Sequence, residues 1–407
     1  MDRNTRVEYV LFFFSILFLR KIGILDTKVL VLLAFMLLSV SRNKKVKIHN
    51  KVIVPITCIM LLILLFVIHS MQNETDLQIL LRYVRCIITT VCIMSYMNAR
   101  KPNEEVIVGS LCIVLCLHAA AIILSVSVPA IRPYIYAISG YTKKYLPLRS
   151  TGLLSGYDFA GYYLNAGILL RVIYNAKYKN KVYDLIVVLY IVATLFTSRV
   201  NTIILMLEMV GIIIYMFRTK RISSAMTLII IIPIILVGSV FSILTIDTFS
   251  PLKYRLLQRY QWVATLDRSI NLTYADSTIE EAITKHYDVE ENVDVFFGNG
   301  ITPKRDPGII KTIYEGGFFA LVLKTSFYLY ICIYAFRRRN DGVIPSFLFL
   351  LVILTTILEM KLAFYFATGA YELLITMFSL VITSNRVEFK KHSLEEPNYK
   401  KMVLYGR

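Results

Sequence analysis

Arginine is the residue type in this chain whose placement most suggests chemistry. Arg149 follows Arg132, Lys143 and Lys144 and directly precedes Ser150-Thr151-Gly152-Leu153-Leu154-Ser155-Gly156-Tyr157-Asp158-Phe159-Ala160-Gly161. Arg199 lies in Thr197-Ser198-Arg199-Val200-Asn201-Thr202, and Arg255 and Arg259 are interleaved with Tyr254, Tyr260 and Trp262. Arg305 and Asp306 follow Phe296-Phe297-Gly298-Asn299-Gly300-Ile301-Thr302-Pro303-Lys304 and precede Pro307-Gly308. A guanidinium fork matches phosphate oxygens two at a time, so such a set fits a phosphate-bearing substrate. Asp158 and Asp306 are the carboxylates placed to act as a base beside it, and Tyr157 adds a substrate contact. Each residue also has a plainer reading. Asp158 could cap a helix, Asp306 could make a turn before Pro307, Arg199 could snorkel to a membrane surface, and Lys143 and Lys144 could meet lipid headgroups.

Other catalytic signatures are missing. The chain has no glycine-rich phosphate loop with a lysine, no two-histidine zinc helix and no serine elbow. The histidines His49, His69, His118, His286 and His392 are scattered and read as structural or solvated. All six cysteines fall in apolar runs, where they act as small hydrophobes. No disulfide framework, metal or cofactor is expected.

The elements that must position these residues are transmembrane helices. Hydrophobic residues make up 57% of the 407 and charged residues only 18%, whereas soluble domains carry about a quarter charged. Spans of roughly twenty residues would take about 240 residues for about twelve helices, which this composition accommodates. Apolar runs lie at 7–24, 26–41, 52–70, 79–98, 106–128, 159–175, 185–197, 203–217, 226–245, 316–336, 345–358 and 362–384. The expected fold is an all-α polytopic membrane protein, one membrane domain over 1–407. With the N-terminus in the cytoplasm, the inner ends carry Arg3/Arg6, Arg42 to Lys51, Arg100/Lys101, Lys177 to Lys181, Arg218 to Arg221 and Arg337 to Arg339. This is the positive-inside bias, and it accounts for the net charge of +18 without nucleic acid. An even count of spans returns the basic tail, 385–407, to the cytoplasm. Arg20, Lys21 and Lys28 are the exceptions, left at the outer interface.

Two non-cytoplasmic loops, 129–158 and 246–314, are too long to be connectors, and their aromatic and apolar content predicts that they are folded. The second alternates a basic start (Lys253, Arg255, Arg259, Arg268), an acidic middle and a basic end (Lys304, Arg305, Lys311). Within the spans, Arg82 and Arg85 share a helix face. Glu208, Lys324, Glu359, Lys361 and Glu372 lie at or near membrane depth, with pairing and function both open as explanations.

In Arg149 to Gly161, Thr197 to Thr202 and Phe296 to Gly317 the sequence resembles the Wzy-type O-antigen polymerases, within the O-antigen ligase and polymerase superfamily of bacterial inner-membrane glycosyltransferases. The resemblance implies a GT-C-like fold with two large periplasmic loops. It also implies metal-independent transfer of a growing glycan from undecaprenyl diphosphate onto an incoming lipid-linked repeat unit, in lipopolysaccharide O-antigen synthesis. Essential arginines of the two loops would fall on Arg149 and on Arg255, Arg259 and Arg305. A polysaccharide chain-length regulator is the further partner to be expected, beside the lipid bilayer. A ligase acting on lipid A core would be expected to carry a histidine near the late glycines, where this chain has Arg305 and Asp306. A flippase or transporter of the same lipid-linked sugars is the alternative from another class; repeated halves, typical of transporters, are not evident. On the polymerase reading, Arg149, Arg199 and Arg305 gather the donor diphosphate, and Asp158 or Asp306 takes the acceptor's proton.

Overall fold

A computed structural model of the chain describes residues 3–19, 21–22, 25–43, 49–72, 75–141, 149–178, 184–218, 289–290, 293–303 and 307–383. The described residues are helical apart from connecting turns, the irregular stretches 149–156, 293–303 and 360–369, and a two-residue antiparallel bridge. In order they are α1 (Arg3–Phe18), the bridge of β1 (Lys21–Ile22) with β2 (Leu25–Asp26), α2 (Thr27–Asn43), α3 (Ile53–Gln72), α4 (Leu77–Arg100) and α5 (Glu104–Ser127). There follow α6 (Arg132–Ser139), α7 (Tyr157–Tyr178), α8 (Leu185–Leu195), α9 (Arg199–Arg218), α10 (Gly308–Arg338), α11 (Val343–Glu359) and α12 (Ala370–Thr383).

Among the described residues, five helical stretches are long and apolar enough to cross a membrane: Asn50–Met71, Leu77–Arg100, Glu104–Ser127, Arg199–Phe217 and Gly308–Arg338. Four more are apolar but shorter, among them Leu185–Leu195 and Ala370–Thr383. At 1.5 Å per residue the 24-residue α4 extends about 36 Å, enough for a hydrocarbon core of about 30 Å. α7 is long but its Tyr, Asn and Gly content keeps it out of this set. The apolar run at 226–245 lies outside the described residues. The expected last span, 362–384, is helical only from Ala370, because residues 360–369 form a turn with Phe366 and Gly369 in left-handed backbone.

The chain divides into two compact units, Met1–Phe14 with Val108–Val293 and Pro303–Lys311, and Ser15–Ile107 with Asp294–Thr302 and Thr312–Arg407. In the second unit α4 packs against α2, α3 and α12, and α11 against α12. Its interior holds charges, and each has a partner that explains its burial. Glu315 meets Arg82 at 3.1 Å and Lys324 at 3.3 Å, and the Lys324 ammonium also donates to Thr312 Oγ1 at 2.8 Å. Glu359 accepts the backbone N–H groups of Phe364 and Tyr365 at 2.5 and 2.6 Å. Glu372, in the first turn of α12, reaches back to the Gly369 N–H, the reciprocal half of a capping box. Arg85 donates to Phe366 O at 3.0 Å and to the Thr368 hydroxyl. Lys324 is thus paired with Glu315, and Glu359 and Glu372 are held by backbone amides.

Lys28, which fits the basic-inside pattern poorly, is buried, and its ammonium donates to Ile16 O and Leu17 O at 3.0 and 3.2 Å. It closes the C-terminal end of α1, whose last carbonyls have no partners within the helix. Its charge serves packing and carries no topological information.

Candidate functional site

The first unit brings together residues that are far apart in sequence. Its framework is the C-terminal part of α5 with α6, α7, α8 and α9. Arg132, counted with the basic patch of the first long loop, is instead turned inward, and its Nε donates to Ser125 O at 2.7 Å near the end of α5. The loop therefore starts with a short helix. α6 has Pro133 at its N-terminal turn and ends at Gly140, whose φ of 71° suits a residue without a Cβ. Tyr136 and Tyr141 join Ala121 and Ile135 in a small buried cluster, with Leu153 and Tyr157 against it. The ring of Tyr141 meets Tyr157 edge-on at 5.4 Å, which explains the position of Tyr157 by packing.

Arg149 enters on this cluster. The Tyr136 hydroxyl donates to Arg149 O at 3.2 Å, and the next amide, of Ser150, donates to Phe196 O at 2.8 Å. The Ser150 hydroxyl bonds that of Ser125 and accepts the Gly152 N–H at 3.0 Å. Gly152 has φ +54°, and a Cβ there would lie 2.7 Å from Ile122 and 2.8 Å from His118. His118 Nδ1 accepts the Leu153 N–H at 3.2 Å, so a histidine that reads as structural in sequence fixes this turn. The segment carrying Arg149 is thereby stitched to α5 on one side and to the α8–α9 turn on the other.

That turn carries Arg199. Ser198 caps α9, its Oγ accepting the Asn201 N–H at 3.3 Å, and Arg199 is the first helical residue, with an exposed side chain. Asn201 ties the two helix starts together. Its Nδ2 donates to Asp158 O at 2.9 Å and to Ser198 Oγ at 2.8 Å, and its backbone O accepts from Asn165 Nδ2 at 3.2 Å. This approach needs Gly161, because a Cβ there would sit 2.4 Å from Asn201 Cβ. Ser198, Asn201 and Gly161 are functional in this positioning sense. The polar string Thr197 to Thr202 was their visible signal, but their partners on α7 are not readable from spacing.

Gly161→Ala is therefore expected to cost about 1–3 kcal/mol through overpacking against a hydrogen-bonded asparagine. Gly156→Ala, whose nearest contact would be Phe159 at an ordinary 3.4 Å, is expected to stay within about 0.5 kcal/mol of wild type. Thermal melting of the two variants in detergent, side by side, checks this. Equal melting points would mean that α7 and α9 are not in the contact described.

The outcome is that the segments bearing Arg149, Arg199, Asp158 and Tyr157, four residues singled out by type and spacing, are hydrogen-bonded together, through Ser150 N–H to Phe196 O and through Asn201 Nδ2 to Asp158 O. Arg149's guanidinium binds its proton less tightly than usual, first because it is partly buried and then because Arg199 repels it, while Tyr157 and Asp158 act in the opposite direction. Arg199 stands at the start of α9, where the helix dipole adds positive potential, and the segment bearing Arg149 is bonded to the turn before it, an arrangement that favours an anion. Asp158 in the first turn of α7 is itself favoured by that dipole, so capping and proton acceptance remain compatible readings of it. Arg255, Arg259, Arg305 and Asp306 lie outside the described residues. Among the described residues no group of three or more His, Cys, Asp or Glu could hold a metal ion. No protein-family model and no curated protein matches this chain.

Proposed function

We propose that this protein is a multi-span membrane glycosyltransferase of the O-antigen polymerase type, working at the outer face of the bacterial inner membrane with both termini in the cytoplasm. Arg149 and Arg199 hold the diphosphate of an undecaprenyl-linked glycan, with Arg255, Arg259 and Arg305 completing the substrate contacts and Tyr157 lining the site. The bond between the anomeric carbon and the diphosphate oxygen breaks as the acceptor hydroxyl of an incoming lipid-linked repeat unit attacks that carbon. The hydroxyl proton passes to Asp158 or Asp306, and the diphosphate leaves with the bonding pair. Charge that grows on the leaving group meets cations already in place, the arrangement that lowers such a barrier most. The observation that supports this reading is the hydrogen-bonded convergence of the segments that carry Arg149, Arg199 and Asp158.

A transporter of the same lipid-linked sugars is the second reading. It is favoured by the break in α10 at Gly316 and Gly317 and by the buried Glu315 and Lys324 beside it, because interrupted helices with interior charges build substrate sites in transporters.

Gene deletion followed by gel display of surface glycan separates the readings. A single repeat per lipid core is the expected result. Core with no repeat would point to a ligase, and precursor accumulating on the cytoplasmic side to a flippase; either would overturn the polymerase reading.

A further inference from the structure

Residues 294–302, at the end of the second long loop in sequence, belong to the second unit and bond to it in a way that a water-exposed loop does not require. Most of their backbone N–H groups are bonded. The N–H groups of Asp294, Phe296, Phe297, Gly298, Asn299 and Gly300 all donate: to Asn299 Oδ1, twice to Asp294 Oδ1, and to Asp294 O, Tyr314 O and Glu315 O, at 2.6 to 3.2 Å. On the acceptor side, Val295 O and Phe296 O take the N–H groups of Phe318 and Phe319, Gly300 O takes that of Asp76 at 3.0 Å, and Phe297 O meets His69 Nε2 at 2.6 Å.

The same bonds repair α10. Gly316 and Gly317 leave helical geometry, Gly317 at φ +63°, and the carbonyls and amides freed on either side of the break are the groups that pair with the loop. The approach is backbone on backbone: a Cβ on Gly298 would lie 2.6 Å from Gly316 N, and one on Gly317 2.3 Å from Phe296 C. Side chains behave in the opposite way. Phe296 is 70% exposed, Phe297 53% and Phe318 55%, with Val295, Ile301 and Phe319 also exposed. The Phe297 and Phe319 rings meet at 6.5 Å, so the patch runs on into the exposed apolar stripe of α10 that includes Val322, Leu329 and Ile333.

Polar backbone turned inward and aromatic side chains turned outward is the arrangement that an apolar solvent selects. In water, unpaired N–H and C=O groups cost little and exposed phenylalanines cost much; in hydrocarbon the two costs are exchanged. Non-helical backbone is tolerated at membrane depth only where its polar groups are satisfied by protein, and here the groups freed at the helix break and most of those in the loop pair with one another. We propose that residues 295–301 are a membrane-inserted, non-helical segment whose Phe296 and Phe297 contact the acyl chains of the bilayer, continuing the lipid-facing stripe of α10. The occupant of this surface is lipid.

The test uses the full chain in phospholipid nanodiscs. Trp262 is the sole tryptophan, so Trp262→Phe gives a silent background for Phe296→Trp and, separately, Phe297→Trp. Leu329→Trp on α10 serves as the lipid reference and Asn340→Trp, in the exposed turn before α11, as the aqueous one. The expected result is that bromine-labelled acyl chains quench both loop tryptophans as strongly as Leu329→Trp, while iodide in the buffer quenches neither. Quenching by iodide at the level of Asn340→Trp would overturn the proposal in favour of water. Resistance to both quenchers would overturn it in favour of cover by protein, whether another segment or a second copy of the chain.

Discussion

On the proposed polymerase function, Arg149→Lys is expected to extend glycan at about one hundredth of the wild-type rate, the loss typical of removing one positioned donor to a developing anion. The ammonium keeps the charge, so the loss isolates the planar fork, which binds two phosphate oxygens at once. Arg149→Ala leaves single-repeat product. The readout is in vitro extension of a purified lipid-linked repeat unit, resolved by gel, at matched protein levels. A wild-type ladder from Arg149→Lys would remove the bidentate contact, and one from Arg149→Ala would remove the assignment. The same variants carry a control for folding. Arg149 is tied in through its backbone carbonyl, which accepts from Tyr136, so replacing its side chain should leave thermal stability within about 0.5 kcal/mol of wild type. Activity lost together with stability would mark Arg149 as structural.

The largest effect on stability is expected from Glu315→Gln. Its side chain is 1% exposed and that of Lys324 3%, and Glu315 neutralises both Lys324 and Arg82. Removing the negative member of a buried set leaves its cations uncompensated, at a cost of about 3–5 kcal/mol. Much of the protein should then fail to accumulate, and the remainder should melt well below wild type. Adding Lys324→Met to Glu315→Gln removes one stranded charge and should restore more than half of the loss, because replacing both partners costs far less than removing one. A melting point for Glu315→Gln within about 2 °C of wild type would show that the pair is solvated or already neutral. Failure of the double variant to recover would place the cost in the helix break, where Glu315 O accepts the Gly300 amide.

Helix type and approximate position were legible because apolar run length is a local property. The runs at 52–70, 79–98, 106–128 and 203–217 each correspond to a helix whose ends differ from the run by a few residues. The run at 362–384 was misread at its start. Residues 360–369 are apolar, but they turn, held by carboxylate caps from Glu359 and Glu372 and by Arg85, and composition does not encode such caps. Arg132 was legible as a cation but not as a buried one, since Ser125 O, its partner, belongs to the preceding helix.

The sequence by itself determined that the chain is helical and apolar, and it picked out Arg149, Arg199, Tyr157 and Asp158, because residue type and local spacing state what a side chain is able to do. Only the tertiary structure decided that the segments carrying these four come together. Their meeting depends on Gly161 admitting Asn201, on Asn201 joining the starts of α7 and α9, and on Ser150 bonding Phe196 across the α8–α9 turn. Contacts of that kind arise from close approach between helices, where one missing Cβ or one amide hydrogen bond sets the distance, and no periodicity along the chain records them.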